Sequence, residues 1–288
     1  MKDISILIPT YNSVCTELVM RLAEQAADAG IGYEVIVADD GSTDRATVEA
    51  NRRINSVAHC RLIERSENCG RAAIRNFLAQ QAQYPWLLFI DSDMVVRRTD
   101  YVRRYATAQW DTIVYGGIEV NADGSDGSNL RAIYEKAHEG EHTVERRRLA
   151  PYHDFHTANF MVRRDIMTRW PFDMRFRRYG YEDVLFGKKM EQQHIEIAHI
   201  DNPLSFEVFE QNDDFVSKTE EGLRTLHAFR DELRGYSRLI DRAERLPHYP
   251  ILLWHKMFGG IERRILTSRH PSLAVFNMYK LGYYVSMQ

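Results

Sequence analysis

The sequence predicts an α/β fold in which helices cover both faces of a largely parallel sheet. Short runs of β-branched and aliphatic residues alternate with segments whose apolar residues recur at helical spacing. The short runs are apolar almost throughout, rather than at every second residue, which is typical of strands buried on both faces. Several of them end in aspartates, and the carboxyl ends of strands in such sheets border the ligand crevice.

The first elements follow a strand, helix, strand order. Residues 4–12 begin with a short apolar run, and residues 33–44 repeat that pattern and then continue with two aspartates. Between them, residues 15–30 have apolar residues at helical spacing and close with Gly30, which is typical of a helix and its C-terminal cap. We therefore predict two parallel strands joined by a helix.

The same alternation continues along the chain. Ser42 and Thr43 are suited to cap the next helix. The further candidates are a helix over residues 41–54, a strand over 60–67, a helix over 70–82, strands over 86–93 and 160–164, a helix from Glu182 and a strand over 195–203. Recurring strand and helix segments favour a parallel sheet with helical layers.

The middle of the chain is less regular. Residues 121–129 are rich in Gly, Asp and Ser, which predicts a loop. Residues 135–148 are highly charged and could be helical or mobile; we interpret them as a solvated face.

Length and composition indicate a globular protein of one large domain or two small ones. The chain has 288 residues, 44% of them hydrophobic, and a formal net charge of −3 from 38 basic and 41 acidic residues. This balance gives no bias toward nucleic acid, so no nucleic-acid partner is expected.

The three cysteines lack the spacing of a zinc site or a disulfide framework. No leader pattern and no apolar stretch of about 18 residues is present, so we expect a cytoplasmic protein.

The C-terminal part differs in composition from the rest. We predict that residues 233–288 form a basic, amphipathic, helical extension of a domain over residues 1–232. From residue 234 to 288 there are nine Lys and Arg residues against three acids. This pattern favours a membrane surface or a partner, while helices that pack back on the main domain or on a second subunit are the alternative.

Two carboxylates follow the apolar run at residues 87–90. Asp91 and Asp93 are separated by Ser92, so both can face one ligand from a turn. Hard oxygen ligands of this kind suit Mg²⁺ or Mn²⁺ held jointly with phosphate oxygens. The alternative is an ordinary Asp-rich turn.

Two further segments could hold a nucleotide. An aspartate at the end of the second strand can accept hydrogen bonds from a base or a ribose, although an Asp-rich turn with a helix cap would look similar. Tyr11 could stack on a planar base, with Pro9 fixing its loop, although a packed surface tyrosine is the alternative.

Taken together, these motifs closely resemble glycosyltransferase family 2, the nucleotide-sugar-dependent enzymes of the GT-A fold. The resemblance covers about residues 3–225. It is carried by the segments ILIPTYN, VADDGSTD, NCGRAAIRN, FIDSDMVV and GYEDVLFG, in this order. It implies a Rossmann-like, mostly parallel sheet and an inverting transfer of a sugar from a nucleotide diphosphate donor to an acceptor hydroxyl. UDP is the favoured nucleotide because Asp40 suits the imide N–H of uracil. Bacterial surface-polysaccharide synthesis is the implied pathway.

The resemblance also implies a nucleotide-binding set. Pro9, Tyr11 and Asp40 would hold the base, and Asn12 and Asp39 would shape that pocket. The other implied contacts are Gly70, Arg71, Arg75, Asp91 and Ser92. For Arg75, a salt bridge that ties helix to sheet is an equal alternative.

The implied metal ligands are Asp93 and Asp91, with Mn²⁺ or Mg²⁺ as the cofactor. Related sequences commonly place a further His ligand where this chain has Phe206. His199, Glu207 or water could replace it.

An inverting transfer needs a base across the sugar from the metal. The resemblance assigns Asp183 as this base and Glu182 as an acceptor contact; acids at an ordinary helix start are the alternative. Asn159 could hydrogen bond a sugar hydroxyl, and His156 is expected to make a structural hydrogen bond rather than to bind metal.

Competing interpretations remain for the function. A glycoside hydrolase also needs two carboxylates but no nucleotide or metal. A non-catalytic nucleotide-sugar or membrane-surface binding protein of the same fold is the alternative from another class. The motifs of nicotinamide-binding and P-loop enzymes are absent. The expected partners are a nucleotide-sugar donor and a glycan or lipid-linked glycan acceptor, with the tail a candidate for attachment to the inner face of the cytoplasmic membrane.

Overall fold

The computed structural model describes residues 1–121 and 127–288. Residues 122–126 of the predicted loop lie outside the described residues. The described chain is an α/β fold with a mainly parallel central sheet, flanking helices and a helical C-terminal region, so the predicted fold class is confirmed.

Parallel strands bring the predicted site residues to one edge of the main sheet. The strands are β1 (Ile4–Thr10), β2 (Tyr33–Asp39), β3 (Cys60–Glu64), β4 (Trp86–Ile90), β5 (Met94–Val95), β6 (Ile113–Tyr115), β7 (Ile118–Val120), β8 (Asn159–Arg163), β9 (Ile197–His199) and β10 (Leu204–Phe206). The main sheet has the order β3-β2-β1-β4-β8-β6-β9, and a small sheet has the order β5-β10-β7. In the main sheet, β8 runs antiparallel to β4 and β6, whereas the other neighbours are parallel. The carboxyl ends of β1, β2 and β4 therefore meet at the same edge.

Helices cover both faces of the main sheet. The helices of the described residues are α1 (Thr16–Ala29), α2 (Arg45–Arg52), α3 (Arg71–Gln81), α4 (Tyr101–Ala106), α5 (Leu130–His138), α6 (Val144–Leu149), α7 (Arg164–Arg169), α8 (Glu182–Gln192), α9 (Asn212–Ala228), α10 (Arg230–Leu233), α11 (Arg238–Arg245), α12 (His248–Leu266) and α13 (Leu273–Val285). Ile6 and Ile8 of β1 pack in one apolar cluster with Leu22 of α1. Leu7 points to the other face and packs in a cluster with Leu78 of α3. This alternation explains why β1 has apolar residues on both faces.

The ends of the first two helices differ in how well they were predicted. Gly30 ends α1 in the left-handed conformation, with φ of 67°, as its position predicted. The cap of α2 is Asp44, whose carboxylate accepts hydrogen bonds from the Ala46 and Thr47 N–H groups. The prediction that Ser42 and Thr43 cap this helix is therefore wrong.

The charged segment at 135–148 is not simply a solvated face. Arg147 of α6 is buried and donates hydrogen bonds to the carbonyl oxygens of Gly116, at 3.2 Å, and Ile200, at 3.0 Å. A guanidinium can be buried in this way because its donors satisfy carbonyl groups at strand ends. The interpretation of this segment as a solvated face is therefore wrong for Arg147.

The C-terminal helices pack back onto the rest of the chain. Leu281 of α13 shares an apolar cluster with Leu223 of α9, and Phe276 shares another with Leu130 of α5 and Phe215. Apolar contacts cross the predicted domain boundary at residue 232. The division of the chain at this residue stays a prediction. Among the described residues, no helix combines the length and apolar character needed to cross a bilayer.

Candidate active site

A cavity of about 370 Å³ lies at the carboxyl ends of β1, β2 and β4. Most of the residues predicted to contact a nucleotide or metal are on its wall. They are Pro9, Tyr11, Asp40, Gly70, Arg71, Arg75, Asp91, Ser92 and Asp93. The parallel strand order explains this convergence, since it places three separate strand ends side by side.

Asn12 and Asp39 lie behind this wall. The Asn12 side-chain oxygen accepts hydrogen bonds from the N–H groups of Thr43, at 2.8 Å, and Asp44, at 3.0 Å. The Asp39 carboxylate accepts one from the Ser42 N–H at 2.8 Å. Both side chains hold the loop after β2 and neither is on the cavity wall, so their role in shaping the nucleotide pocket stays a prediction.

Asp40 connects β2 to the loop before α3. Its carboxylate accepts hydrogen bonds from the Cys69 N–H at 3.1 Å and the Gly70 N–H at 2.9 Å, and it forms an ion pair with Arg65 at 3.2 Å. Burial raises the pKa of Asp40, although these partners oppose the change. Gly70 has a φ of +89°, and a Cβ there would lie 2.9 Å from the Arg177 carbonyl oxygen. The loop therefore depends on glycine at this position.

Arg75 links the two predicted acidic motifs. Its guanidinium is buried and lies 2.5 Å from an Asp91 carboxylate oxygen and 3.6 Å from a Glu182 carboxylate oxygen. The salt bridge that was one of the two interpretations of Arg75 is present in the structure, and its contact with a nucleotide stays a prediction. The side chain also reaches the cavity wall, so it positions Asp91 there.

A second cavity, of about 850 Å³, adjoins the first. Glu182 and Asp183 lie on its wall at the start of α8, and Arg71 and Tyr179 line both cavities. The Arg71 guanidinium stacks 4.7 Å from the centre of the Tyr179 ring. Burial opposes its charge, but Tyr179 and the nearby acids together raise the pKa of Arg71. A permanent cation therefore stands where the two cavities meet.

The environments of Glu182 and Asp183 push their pKa values apart. Burial, followed by the charge of Asp183, raises the pKa of Glu182. Burial would also raise the pKa of Asp183, but the hydrogen bond and charge of His156, with the Val184 N–H and Arg75, lower it. The His156 Nδ1 lies 3.4 Å from the Asp183 carboxylate, and this contact outweighs burial and raises the pKa of His156. The lowered pKa keeps Asp183 in the carboxylate form, which can accept a proton, and its assignment as the base stays a prediction.

The cavity wall offers two carboxylates to a divalent cation. Partial removal from water and the charge of Asp91 raise the pKa of Asp93, so a cation there would relieve repulsion. No group of three or more potential metal ligands occurs in the described part of the chain. The pair fits Mg²⁺ or Mn²⁺ whose other ligands are diphosphate oxygens and water.

The other residues considered as metal ligands make contacts with other groups or are buried. His199 is buried, contacts Arg147 and the Pro151 carbonyl, and has a pKa lowered to about 4, mainly by burial. Glu207 forms an ion pair with Arg97 at 2.6 Å, and Phe206 is buried. The structure therefore does not place His199 or Glu207 as the third ligand.

The prediction that Asn159 contacts a sugar is wrong. Asn159 is fully buried, and its side-chain oxygen accepts hydrogen bonds from the Tyr101 hydroxyl, at 2.6 Å, and the Tyr105 hydroxyl, at 2.8 Å. Its amide donates to the Gly117 and Asn202 carbonyl oxygens at 2.7 and 2.9 Å. All of its hydrogen-bonding capacity is used inside the protein, so none remains for a ligand.

Sequence reasoning missed part of the first cavity. Its wall also includes Asn68, Arg177, Arg178, Tyr179, Lys218 and Glu221. The two adjacent arginines, which only Tyr179 separates from the GYED segment, were a usable signal, because guanidinium groups are suited to bind phosphate. Lys218 and Glu221 lie on α9, and no local pattern marks them.

Comparisons with known proteins identify the family of the chain. Residues 5–170 match the family model described as glycosyl transferase family 2. An uncharacterized glycosyltransferase of Haemophilus influenzae is 34% identical over 95 residues, which are 32% of this chain and 37% of that protein. The poly(ribitol-phosphate) β-N-acetylglucosaminyltransferase TarS of Staphylococcus aureus is 33% identical over 107 residues, which are 36% of this chain and 17% of that protein. The aligned parts therefore span well under half of these relatives.

Solved structures show the same fold. The structure of S. aureus TarS 1-349 in complex with UDP has a TM-score of 0.55 and 19% sequence identity, and the match covers 99% of this chain and 90% of that one. Glucosyl-3-phosphoglycerate synthase from Mycobacterium tuberculosis has a TM-score of 0.50 and 17% identity, with 79% of each chain covered. Since the family model spans more than half of its residues, the chain belongs to glycosyl transferase family 2 and has the GT-A fold.

Proposed function

We propose that this protein is an inverting glycosyltransferase that moves a sugar from a UDP-sugar to a hydroxyl group of a glycan or polyol polymer. The observation that carries the proposal is the pair of adjoining cavities. One holds the Asp91 and Asp93 carboxylates, the other holds Asp183, and Arg71 and Tyr179 belong to both. A donor diphosphate and an acceptor hydroxyl can thus approach one sugar from two sides.

In this proposal, the chain's own residues orient the donor and remove a proton. Tyr11 and Asp40 border the base, and Arg71 with Arg177 faces the diphosphate. Asp183 accepts the proton of the acceptor hydroxyl, whose oxygen forms a bond to the anomeric carbon as the bond to the diphosphate breaks. A divalent cation at Asp91 and Asp93 would supply positive charge to the departing diphosphate.

The nature of donor and acceptor is proposed from relatives. TarS has been solved with UDP and with UDP-GlcNAc, and the mycobacterial synthase with Mn²⁺ and UDP-glucose. Two relatives are named for transfer to poly(ribitol-phosphate). A UDP-sugar donor and a bacterial cell-surface polymer acceptor are therefore the first substrates to test.

Sugar transfer from a panel of UDP-sugars tests the proposal directly. With Mn²⁺ and a polymer acceptor, the wild type should release UDP and form a glycosylated product. Asp183→Asn should lower kcat by about 10²–10⁴-fold without changing the affinity for UDP, because it removes only the base. Asp28→Asn, at an exposed position of α1, is the matched control and should keep wild-type activity.

Three outcomes would contradict the proposal. Full transfer activity of the Asp183→Asn variant would show that Asp183 is not the base. UDP binding without any turnover across donors and acceptors would favour the alternative, a non-catalytic nucleotide-sugar binding protein of the same fold. Metal-independent cleavage of a glycan without nucleotide would favour a hydrolase.

We also propose that the protein attaches peripherally to the inner face of the cytoplasmic membrane through α12. Met257 and Ile261 are 62% and 53% exposed, and Leu253 extends this apolar face. Lys256 and Arg264 on the same helix are exposed and suit anionic lipid. Flotation with anionic vesicles should recover the wild type but not Met257→Glu/Ile261→Glu. Equal recovery of the two folded proteins with the vesicles would contradict this proposal.

A further inference from the structure

The second cavity is built largely by the C-terminal helices. Its wall includes Arg238 and Arg242 of α11 and Lys280 of α13, together with α5 and the start of α8. At about 850 Å³ it is within the range of small-molecule sites, roughly 300–1,000 Å³. An acceptor whose hydroxyl reaches Asp183 must occupy this space. The C-terminal extension therefore forms part of the acceptor side.

Several charges on this wall already have partners. Arg131 lies 2.8 Å from Glu210 and 3.4 Å from Glu135. Arg238 lies 3.1 Å from Glu141. These pairs largely cancel, so they leave little net charge for a ligand.

Lys280 differs from these cations. Its ammonium group is half-buried and lies 4.7 Å from the centre of the Tyr134 ring and 4.5 Å from that of Phe276. It forms no ion pair with any acid in the part of the chain that the structure describes. Burial lowers the pKa of Lys280 to about 8, so the group is mostly protonated at neutral pH. Aromatic faces compensate a desolvated cation only partly, and an anion would compensate it better.

We propose that Lys280 binds a negatively charged group, phosphate or carboxylate, of the acceptor in the cavity beside Asp183. The inference rests on the proposed function and adds the chemical class of the acceptor. Lys280 would then select anionic over neutral acceptors, with Arg242 as a second cation on the same wall that has no acidic partner among the described residues.

Three sugars with the same ring separate the sources of the charge. Glucose 6-phosphate, glucuronate and glucose differ only at the sixth carbon. Their binding to the full chain, saturated with UDP and Mn²⁺, can be followed by ligand-observed NMR and calorimetry. We expect at least one of the two charged sugars to bind at least tenfold more tightly than glucose. Added salt should weaken the binding of that charged sugar but not the binding of glucose. The charged sugar that binds more tightly shows whether the site prefers phosphate or carboxylate.

Variants of Lys280 connect this preference to one side chain. Lys280→Met keeps most of the aliphatic chain and should abolish the preference for the charged sugar, whereas Lys280→Arg should retain it. Lys136→Met removes an exposed lysine of α5 that is not on the cavity wall, and it should change neither the affinity for the charged sugars nor the affinity for glucose. Thermal melting and UDP affinity, measured on the same samples, show that each variant is folded.

The outcomes distinguish this inference from the proposed function. If UDP binds but neither charged sugar exceeds glucose, or if folded Lys280→Met keeps the preference, the inference is wrong and the proposed function stands. If UDP itself does not bind, the proposed function fails and the inference fails with it.

Discussion

Arg75 shows how one residue connects two motifs that are distant in the sequence. It belongs to α3, yet its guanidinium contacts Asp91 after β4 and Glu182 at the start of α8. Both carboxylates are largely withdrawn from water, and the removal of a shared cation would leave them uncompensated. The predicted salt bridge at Arg75 thus also positions the acids that border the two cavities.

Replacement of Arg75 should destabilise the protein strongly. For Arg75→Met we expect the free energy of unfolding in urea to fall by about 3–5 kcal/mol, because the buried Glu182 carboxylate and the half-buried Asp91 carboxylate lose a partner. Addition of Glu182→Gln to this variant should recover part of the loss, since it removes one of the unpaired charges. Arg53→Met, at an exposed position, is the control. A loss no larger than that of the control would contradict the assigned role.

The contact between His156 and Asp183 predicts a pH dependence of stability. The pKa of His156 is raised in the folded protein, so its contribution is complete below the unfolded value of about 6.5 and is lost as the pH rises through the folded value. The melting temperature of the wild type should exceed that of His156→Gln by up to about 2–4 °C at pH 6, after allowance for solvent screening. This difference in melting temperature should be smaller at pH 9 than at pH 6.

The same comparison in an Asp183→Asn background is the matched control. There the ion pair is absent in both proteins, so the stabilising effect of His156 on the melting temperature should no longer decrease from pH 6 to pH 9. An unchanged difference between pH 6 and pH 9 in the native background would show that the contact does not stabilise the charged imidazole.

At the level of elements, the loop before α3 decides the shape of the first cavity. Asp40 anchors the loop through two backbone N–H groups, and Gly70 lets it pass close to the Arg177 carbonyl oxygen. The conformation at Gly70 needs a positive φ and space where a Cβ would be. The sequence segment NCGR marked this glycine, but the contact with the segment before α8 depends on the packing of two distant loops.

Gly70→Ala should weaken nucleotide binding. The added methyl group would lie 2.9 Å from the Arg177 carbonyl oxygen, and the backbone strain costs about 1–3 kcal/mol. We expect UDP to bind at least about tenfold more weakly, by calorimetry. Gly30→Ala is the control, because Gly30 also has a positive φ but has no atom within 4 Å of the added carbon. Equal effects of the two variants on UDP affinity would contradict the role of the loop.

For the whole molecule, the order of strands and the position of the C-terminal helices create the two adjoining cavities. The main sheet presents the donor side, and α5, α8, α9, α11 and α13 enclose the other side. Because the C-terminal helices share apolar clusters with α5 and α9, their deletion would expose buried surface. Point variants therefore test the extension better than truncation does.

Nucleotide binding should stabilise the whole molecule in a metal-dependent manner. At a UDP concentration 100 times its Kd, we expect about 2.7 kcal/mol of stabilisation in thermal melts with Mn²⁺. EDTA should remove most of this shift, because the diphosphate would then face Asp91 and Asp93 without a cation. Asp93→Asn should lose the response to Mn²⁺, whereas Asp28→Asn should keep it. A full shift in EDTA would contradict a metal at this site.

Local patterns were sufficient for most of the architecture. Apolar runs and helical spacing predicted β1, β2, β4, α1 and α3, and the aspartates after the strands indicated the edge where the first cavity lies. These predictions succeed because periodicity and strand ends depend on neighbouring residues. The prediction for Asn159 failed because two tyrosines from α4, far away in the sequence, use its hydrogen bonds.

The sequence by itself determined the fold class, the family resemblance and the set of acids from which a site could be built. Only the tertiary structure decided which of these groups meet: Arg75 with Asp91 and Glu182, His156 with Asp183, and Lys280 with two aromatic rings instead of an acid. The reason is physical. Burial and charge pairing depend on distances between segments that are remote along the chain, and those distances exist only after the chain has folded.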